Sequence, residues 1–255
     1  MVEVWKGAGA GNTFYIVVEP HISRAVGDLP TFAKKYCGRK IDGLIVIGPG
    51  KHNDKNLAAR IINRDGTEGG VCLNGLRAAA VWTKQDGGQF EMDGHIIPWR
   101  RIQGRVELHL RVEDLPGEMS LTACSVDGRQ GMIVPFWNPH CVFPVESLAD
   151  VDLDSLAANV RKNVDQFPDG VNVEIIADAS DGSMHARVNE RGVGETKSCA
   201  SGAVAIALVA WAGGLKGSLD VRMPGGVLRI ARAANGGILL SGGAVVAPGE
   251  TWSIP

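Results

Sequence analysis

Several kinds of protein are excluded by what this chain lacks. None of its cysteines, Cys37, Cys72, Cys124, Cys141 and Cys199, stands in CxxC spacing, so neither a zinc ribbon nor a thioredoxin-type motif is supported. Their odd number, without a secretory pattern, argues against a disulfide framework. No HExxH occurs and the six His residues are scattered, so no metal site is expected. Met1 to Gly11 lacks the apolar core of a signal peptide. The most apolar stretch, Ala200 to Gly214, is shorter than the roughly 20 residues of a membrane-spanning helix. A cytoplasmic protein with no membrane partner is therefore expected. Charge of one sign is not in excess: 26 Lys and Arg stand against 28 Asp and Glu, a net charge of −2. That balance offers no basic face for nucleic acid and no acidic tail. Gly48-Pro49-Gly50-Lys51 lacks the spacing and the Ser/Thr of a P-loop, and Gly7 to Gly11 does not complete GxGxxG, so both read as turns.

What is present is a soluble globular composition, 45% hydrophobic and 21% charged over 255 residues, enough for one large domain or two modest ones. The chain also contains itself twice. Asn12 leads into the apolar run Thr13 to Val17, and Asn138 leads into Pro139 to Phe143. Ala59-Arg60-Ile61-Ile62-Asn63-Arg64-Asp65-Gly66 answers Ala186-Arg187-Val188-Asn189-Glu190-Arg191-Gly192. Cys72-Leu73-Asn74-Gly75 answers Cys199-Ala200-Ser201-Gly202. Asn12 lies 60 positions before Cys72, and Asn138 lies 61 before Cys199. Two domains of one fold are therefore expected, residues 1–116 and 117–244, linked near Pro116 to Leu121. Each half reads as strands, a turn at Asp65-Gly66 or Arg191-Gly192, the cysteine, a helix, then hairpins. The helices are expected over 74–84 and 201–212. The second carries no charge on any face, which marks a buried helix. Hairpin turns are expected at Met92-Asp93-Gly94, Pro224-Gly225-Gly226 and Asn235-Gly236-Gly237. The fold class is α/β or α+β: two pseudo-symmetric domains, each a curved mixed or antiparallel sheet around a central helix.

Cys72 and Cys199 each sit just before a helix. The first N–H groups of a helix have no partner within it and carry the positive end of its dipole. Such a place seats a carboxylate and is expected to lower a thiol's pKa from about 8.5. With the two helix starts at one cleft between the domains, one sulfur as thiolate removes an α-proton and the other as thiol returns a proton to the opposite face. The N–H donors face the enediolate charge that develops. No cofactor is required. Cys37, Cys124 and Cys141 are read as packing residues.

At these residues the chain resembles the diaminopimelate epimerase family over nearly its whole length. The resemblance rests on Lys6-Gly7-Ala8-Gly9-Ala10-Gly11-Asn12, Asn63-Arg64-Asp65-Gly66-Thr67-Glu68, Cys72-Leu73-Asn74-Gly75-Leu76-Arg77 and Trp137-Asn138-Pro139-His140. It continues through Phe167-Pro168-Asp169-Gly170-Val171-Asn172-Val173-Glu174 and Glu190 to Gly202. It implies Cys72 and Cys199 as the acid–base pair, with the backbone at Leu73-Asn74 and Ala200-Ser201 holding the reacting carboxylate. Asn12, Asn63, Asn138, Asn172, Glu190 and Arg191 would hold the rest of an amino-acid substrate, and His140 and Glu190 would tune the thiols. It also implies a homodimer and a last strand, 245–255, returned to the first domain. Asn63 and Asn172 are equally at home as turn residues or caps, Asn12 and Asn138 less so.

The sequence departs from the family pattern where Leu73 replaces a Gly and where Ala200-Ser201 replaces Gly and Thr or Ser. It departs again at Gly43, where a Gln usually follows Asp42, at Thr13 in place of Asp, and at Trp137 in place of Gly. The chemistry of two thiols is untouched by these changes; the substrate is not. LL-diaminopimelate is the leading expectation, retained Glu190, Arg191 and Asn172 favouring it. A racemase of another polar amino acid is the nearest alternative, which Gly43 and Leu73 favour. An inactive amino-acid-binding protein, or a redox protein joining Cys72 to Cys199, are the others.

Overall fold

The computed structural model describes residues 1–51, 56–111, 113 and 121–252. It divides into two units, Met1–His109 with Ser241–Pro255, and Leu110–Leu240. The expected domain boundary at 116/117 lies outside the described residues, as does the expected link apart from Leu121.

The first unit runs β1 (Val2–Gly9), β2 (Asn12–Val18), α1 (His21–Val26), α2 (Leu29–Tyr36), β3 (Gly43–Pro49), β4 (Leu57–Asn63), β5 (Glu68–Gly69), α3 (Leu73–Trp82), β6 (Gly87–Met92), β7 (His95–Ile102) and β8 (Arg105–Leu110). The second runs β9 (Thr122–Val126), β10 (Arg129–Phe136), β11 (Asn138–Pro144), α4 (Leu153–Arg161), β12 (Asn172–Asp178), β13 (Met184–Glu190), β14 (Gly194–Thr196), α5 (Ala200–Ala212), β15 (Leu219–Met223), β16 (Gly226–Arg232) and β17 (Ile238–Gly242). The chain then adds β18 (Ala244–Val246) and β19 (Glu250–Trp252), which pair antiparallel with β1. The expected terminal strand 245–255 is described as far as Trp252.

The class is α+β with mixed sheets, and the internal repeat is a repeat of topology. In the first unit β2 pairs parallel with β3, β3 antiparallel with β4, and β4 parallel with β6. In the second unit β11 pairs parallel with β12, β12 antiparallel with β13, and β13 parallel with β15. Parallel neighbours need a long crossover. Helices α1 and α2 supply it in the first unit, and α4 in the second. The registers match as well: Phe14 stands opposite Gly43, and His140 opposite Asn172.

Strand periodicity divides each sheet between two cores. In the first unit Val17, Leu44, Val46 and Ile62 pack with Ile22, Leu29 and Phe32 of the outer helices. The alternate residue Ile45 turns the other way, toward α3 at Gly75. In the second unit Val173 and Ile175 pack with Leu153, Leu156 and Val160 of α4. The alternate residue Glu174 turns toward α5 at Gly202. Asp28 and Asp152 start α2 and α4 by accepting the Thr31 and Ser155 N–H groups at 2.9 and 3.0 Å. Helix α5 contacts β10, β11, β12, β15 and β16, so a helix without charge has strands on several sides, as its composition predicts. Both central helices begin one residue earlier than expected, at Leu73 and Ala200. The first ends at Trp82, short of the expected Lys84, which has φ 59°. At the expected Met92-Asp93-Gly94 turn, Asp93 and Gly94 have φ 50° and 78°, the pair of left-handed residues that a tight hairpin between β6 and β7 needs.

Trp252 ties the last strand to the first unit. Its ring lies 4.8 Å from Tyr15, 5.6 Å from Tyr36 and 6.3 Å from Phe32. Truncation removes all three aromatic contacts and leaves a cavity beside α2. Trp252→Ala is expected to cost about 2–4 kcal/mol, read as a lower urea midpoint. A midpoint within error of wild type would show that β19 does not support this core.

Candidate active site

Cys72 is the N-cap of α3 and Cys199 the N-cap of α5, both in extended conformation, and neither side chain caps its helix. The first turn of α3 is therefore not capped by its cysteine, while at α5 the Gly202 N–H approaches the Cys199 sulfur. A pair of contacts is repeated with them. The Cys72 N–H donates to Met92 Sδ at 3.5 Å, and the Cys199 N–H to Met223 Sδ at 3.4 Å. The sequence marks Met92 only as part of a hairpin turn and does not mark Met223. The signal was available, since each Met follows its cysteine at the first hairpin turn after the helix.

In the first unit the structure joins three predicted or neighbouring residues into a chain. Asn74 Nδ2 donates to Asn12 Oδ1 at 2.5 Å, and Arg77 Nη2 donates to Asn74 Oδ1 at 2.8 Å. Arg77 Nη1 donates to the Leu73 carbonyl at 3.3 Å. Arg77 is fully buried. Its burial lowers the guanidinium to about 10, opposed by attraction to the Cys72 thiol. A buried cation thus stands within electrostatic reach of Cys72. Leu73 is itself buried, 2% exposed, and packs inward. Asn63 is placed as a turn residue: Nδ2 donates to Thr67 Oγ1 at 3.0 Å. A Cβ at Gly43 would collide with the Ile62 carbonyl, so no larger residue fits there without a backbone shift.

The second unit gathers more of the predicted set. Arg191 Nη2 donates to Asn138 Oδ1 at 3.4 Å and Nη1 to the Asp169 carbonyl at 2.8 Å. Asn172 Oδ1 accepts the Arg191 N–H at 2.8 Å, fixing the turn that follows β13. Glu190 accepts from Thr196 Oγ1 at 2.5 Å and also faces Cys199; burial raises its carboxyl. Ser201 Oγ lies 3.3 Å from Cys199 Sγ, and Ala200 is buried. His140 and Glu174 are both fully buried, with Nδ1 and Oε1 2.7 Å apart.

One expectation is overturned here. A helix start lowers a thiol's pKa, yet the Cys199 thiol is pushed well up. Burial does most of this, followed by the Glu190 and Glu174 carboxylates. Hydrogen bonds from Ser201 and the Gly202 N–H oppose it only in part. Of the remaining cysteines, Cys37 is pushed up to about 11 by burial and then by Asp42. Cys141 is buried in the core under α4, with Cys124 Sγ 3.0 Å from its own.

Matched positions of the two units carry opposite chemistry. Arg77 of α3 corresponds to Val204 of α5, five residues after each cysteine. In register, Ile45 corresponds to Glu174 and Phe14 to His140. One thiol has a buried cation beside it and the other two carboxylates.

Comparison with known proteins gives the family. A family model for diaminopimelate epimerase matches residues 134–247. The diaminopimelate epimerase of Mycobacterium leprae is 34% identical over 257 residues, covering 87% of this chain and 86% of that protein. That of Moorella thermoacetica is 32% identical, with coverages of 88% and 89%. For the Mycolicibacterium vanbaalenii enzyme, 38% identity extends over 178 residues, 64% of this chain and 62% of that one. Among solved structures, a hydroxyproline epimerase from Agrobacterium vitis superposes with a TM-score of 0.70 at 11% identity, covering 98% of this chain and 90% of its own. A Bacillus anthracis phenazine biosynthesis protein of the PhzF family gives 0.69 at 12% identity, covering 98% of each chain. The chain is an isomerase, of the amino-acid epimerase class. Its identity with full-length relatives is closer than class alone requires: it belongs to the diaminopimelate epimerase family.

Proposed function

We propose that this enzyme inverts the α-carbon of an amino acid by a two-base mechanism, with Cys72 and Cys199 acting on opposite faces, and that its substrate is LL-diaminopimelate, giving the meso isomer. The observation that carries this reading is the repeated helix start: each unit offers one thiol and one set of first-turn N–H groups at the same point of the same fold. Inversion needs one base and one acid. The buried guanidinium of Arg77 favours a charged sulfur at Cys72, while Glu190, Glu174 and burial favour a neutral one at Cys199. Cys72 then takes the α-proton from the LL isomer, and Cys199 gives its proton to the other face. First-turn N–H groups receive the carboxylate as enediolate charge grows on it. Arg191 and Asn138 suit the far, zwitterionic end of the substrate, since a guanidinium grips a carboxylate with two parallel bonds.

The relatives' substrate supports diaminopimelate. Gly43, where a longer polar side chain has no room, favours a different polar amino acid. Incubation in heavy water under reducing conditions separates the two. LL-diaminopimelate is expected to gain deuterium at one α-carbon and to yield the meso form, while other L-amino acids do neither. Exchange with another amino acid alone would move the substrate; exchange with none would leave a binding protein.

A further inference from the structure

The His140–Glu174 pair contains a carboxylate that has so far counted only as one of the charges near Cys199, with no account of why it stands there or of what it does to His140. Glu174 lies in the middle of β12, in the run Asn172-Val173-Glu174-Ile175-Ile176, and is fully buried. Its Oε1 is held by His140 Nδ1 at 2.7 Å, while Oε2 and His140 Nε2 are buried without a hydrogen-bond partner among the described residues. The cluster lies against the start of α5: a Cβ at Gly202 would stand 2.5 Å from Glu174 Oε1 and 3.3 Å from the Cys199 Cβ. At the matched place in the first unit, a Cβ at Gly75 would stand 3.1 Å from Ile45 Cδ1 and 3.3 Å from Cys72 Sγ. An isoleucine there fills the same space, so packing does not explain a carboxylate. Burial of a charged group is costly unless it is paired and hydrogen-bonded, and here only Oε1 has a partner among the described residues.

We propose that Glu174 is a positioning residue of the second unit: it orients His140 through Nδ1 and keeps negative charge beneath the first turn of α5, so that Cys199 rests as a thiol ready to give its proton. This rests on Cys199 being the acid of the reaction. The charged groups around the cluster are few. Glu190 on β13 acts on Cys199 directly, and Glu174 acts on it from β12. Arg161 on α4 is attracted to Glu174, and Cys141 on β11 feels its charge. Because the carboxylate only accepts, Nδ1 carries the shared hydrogen. The ring is thereby fixed with Nε2 as its free end.

The test is Glu174→Gln, which keeps the shape and removes the charge. Ionisation of Cys199 is read from ultraviolet thiolate absorbance, as the difference between each protein and its Cys199→Ala partner. Glu174→Gln is expected to move that titration to lower pH. The kcat for LL-diaminopimelate inversion is expected to fall about tenfold to a hundredfold, as when outer partners of metal-bound histidines are removed, with KM little changed. Its alkaline limb should move with the titration. Glu174→Asp, which restores the charge, should return the titration toward wild type; if the Gln variant does not fold, Glu174→Ile, the residue of the matched position Ile45, removes the charge in its place. An unmoved titration would overturn the proposal even if activity fell, because a structural role alone would give that result. The absorbance arm decides the matter whether or not the wild-type enzyme inverts diaminopimelate.

Discussion

Cys72→Ala and Cys199→Ala are each expected to lower inversion of LL-diaminopimelate by at least about a thousandfold, within the range that a positioned acid or base contributes. The loss should show in kcat, since neither sulfur is needed to hold the far end of the substrate. The two variants should nevertheless differ. With Cys72 intact, the Cys199 variant still has a base, so slow α-deuteration with retention of configuration should persist. The Cys72 variant should lose exchange from the LL isomer almost completely. Chiral chromatography with mass spectrometry of the recovered substrate distinguishes the outcomes. Full inversion in either variant would remove that sulfur from the mechanism.

Arg77→Ala is expected to be the most destabilising single change near the first thiol. It empties a fully buried site and leaves the Asn74 amide oxygen without its guanidinium partner at 2.8 Å. A cost of about 3–5 kcal/mol follows from the cavity and the broken polar contact. Arg77→Met separates structure from charge. An apolar side chain of similar reach is expected to recover most of the stability, because buried charge is itself costly, but not the rate. Urea unfolding and kcat, measured together, give both quantities. A Met variant as fast as wild type would make Arg77 a packing residue and remove its influence on Cys72.

The duplicated topology was readable because it depends on spacing and on residue types that alternate with a known period. Asn12 with Cys72 and Asn138 with Cys199 mark equivalent points, and the uncharged Ala200–Ala212 could only be a buried helix. Hairpin turns were readable from Asp93-Gly94 for a similar local reason. The state of the second thiol was not. A helix start is a local feature, whereas the burial of Cys199 and the approach of Glu174 and Glu190 come from strands β12 and β13 folding against α5. Glu174 was visible as a lone carboxylate in an apolar strand, but its partner His140 stands 34 residues earlier. Only the parallel register of β11 and β12 brings them together. Leu73 stands where the family has a Gly, and the start of α3 turns its side chain into the core. Asn63 and Asn12 were chemically suitable ligands whose side chains are engaged by Thr67 and Asn74 within the unit itself.

The exchange of Arg77 for Val204 and of Ile45 for Glu174 also bears on how such an enzyme is built from a repeated gene. A tandem of two first units would keep the scaffold and both sulfurs, yet each would sit near a cation and neither would readily hold a proton to donate. A tandem of two second units would have the reverse fault, with no sulfur inclined to take one. On the proposed mechanism turnover therefore depends on the halves having ceased to be copies, and grafting one half's charges onto the other should cost turnover while leaving the architecture standing.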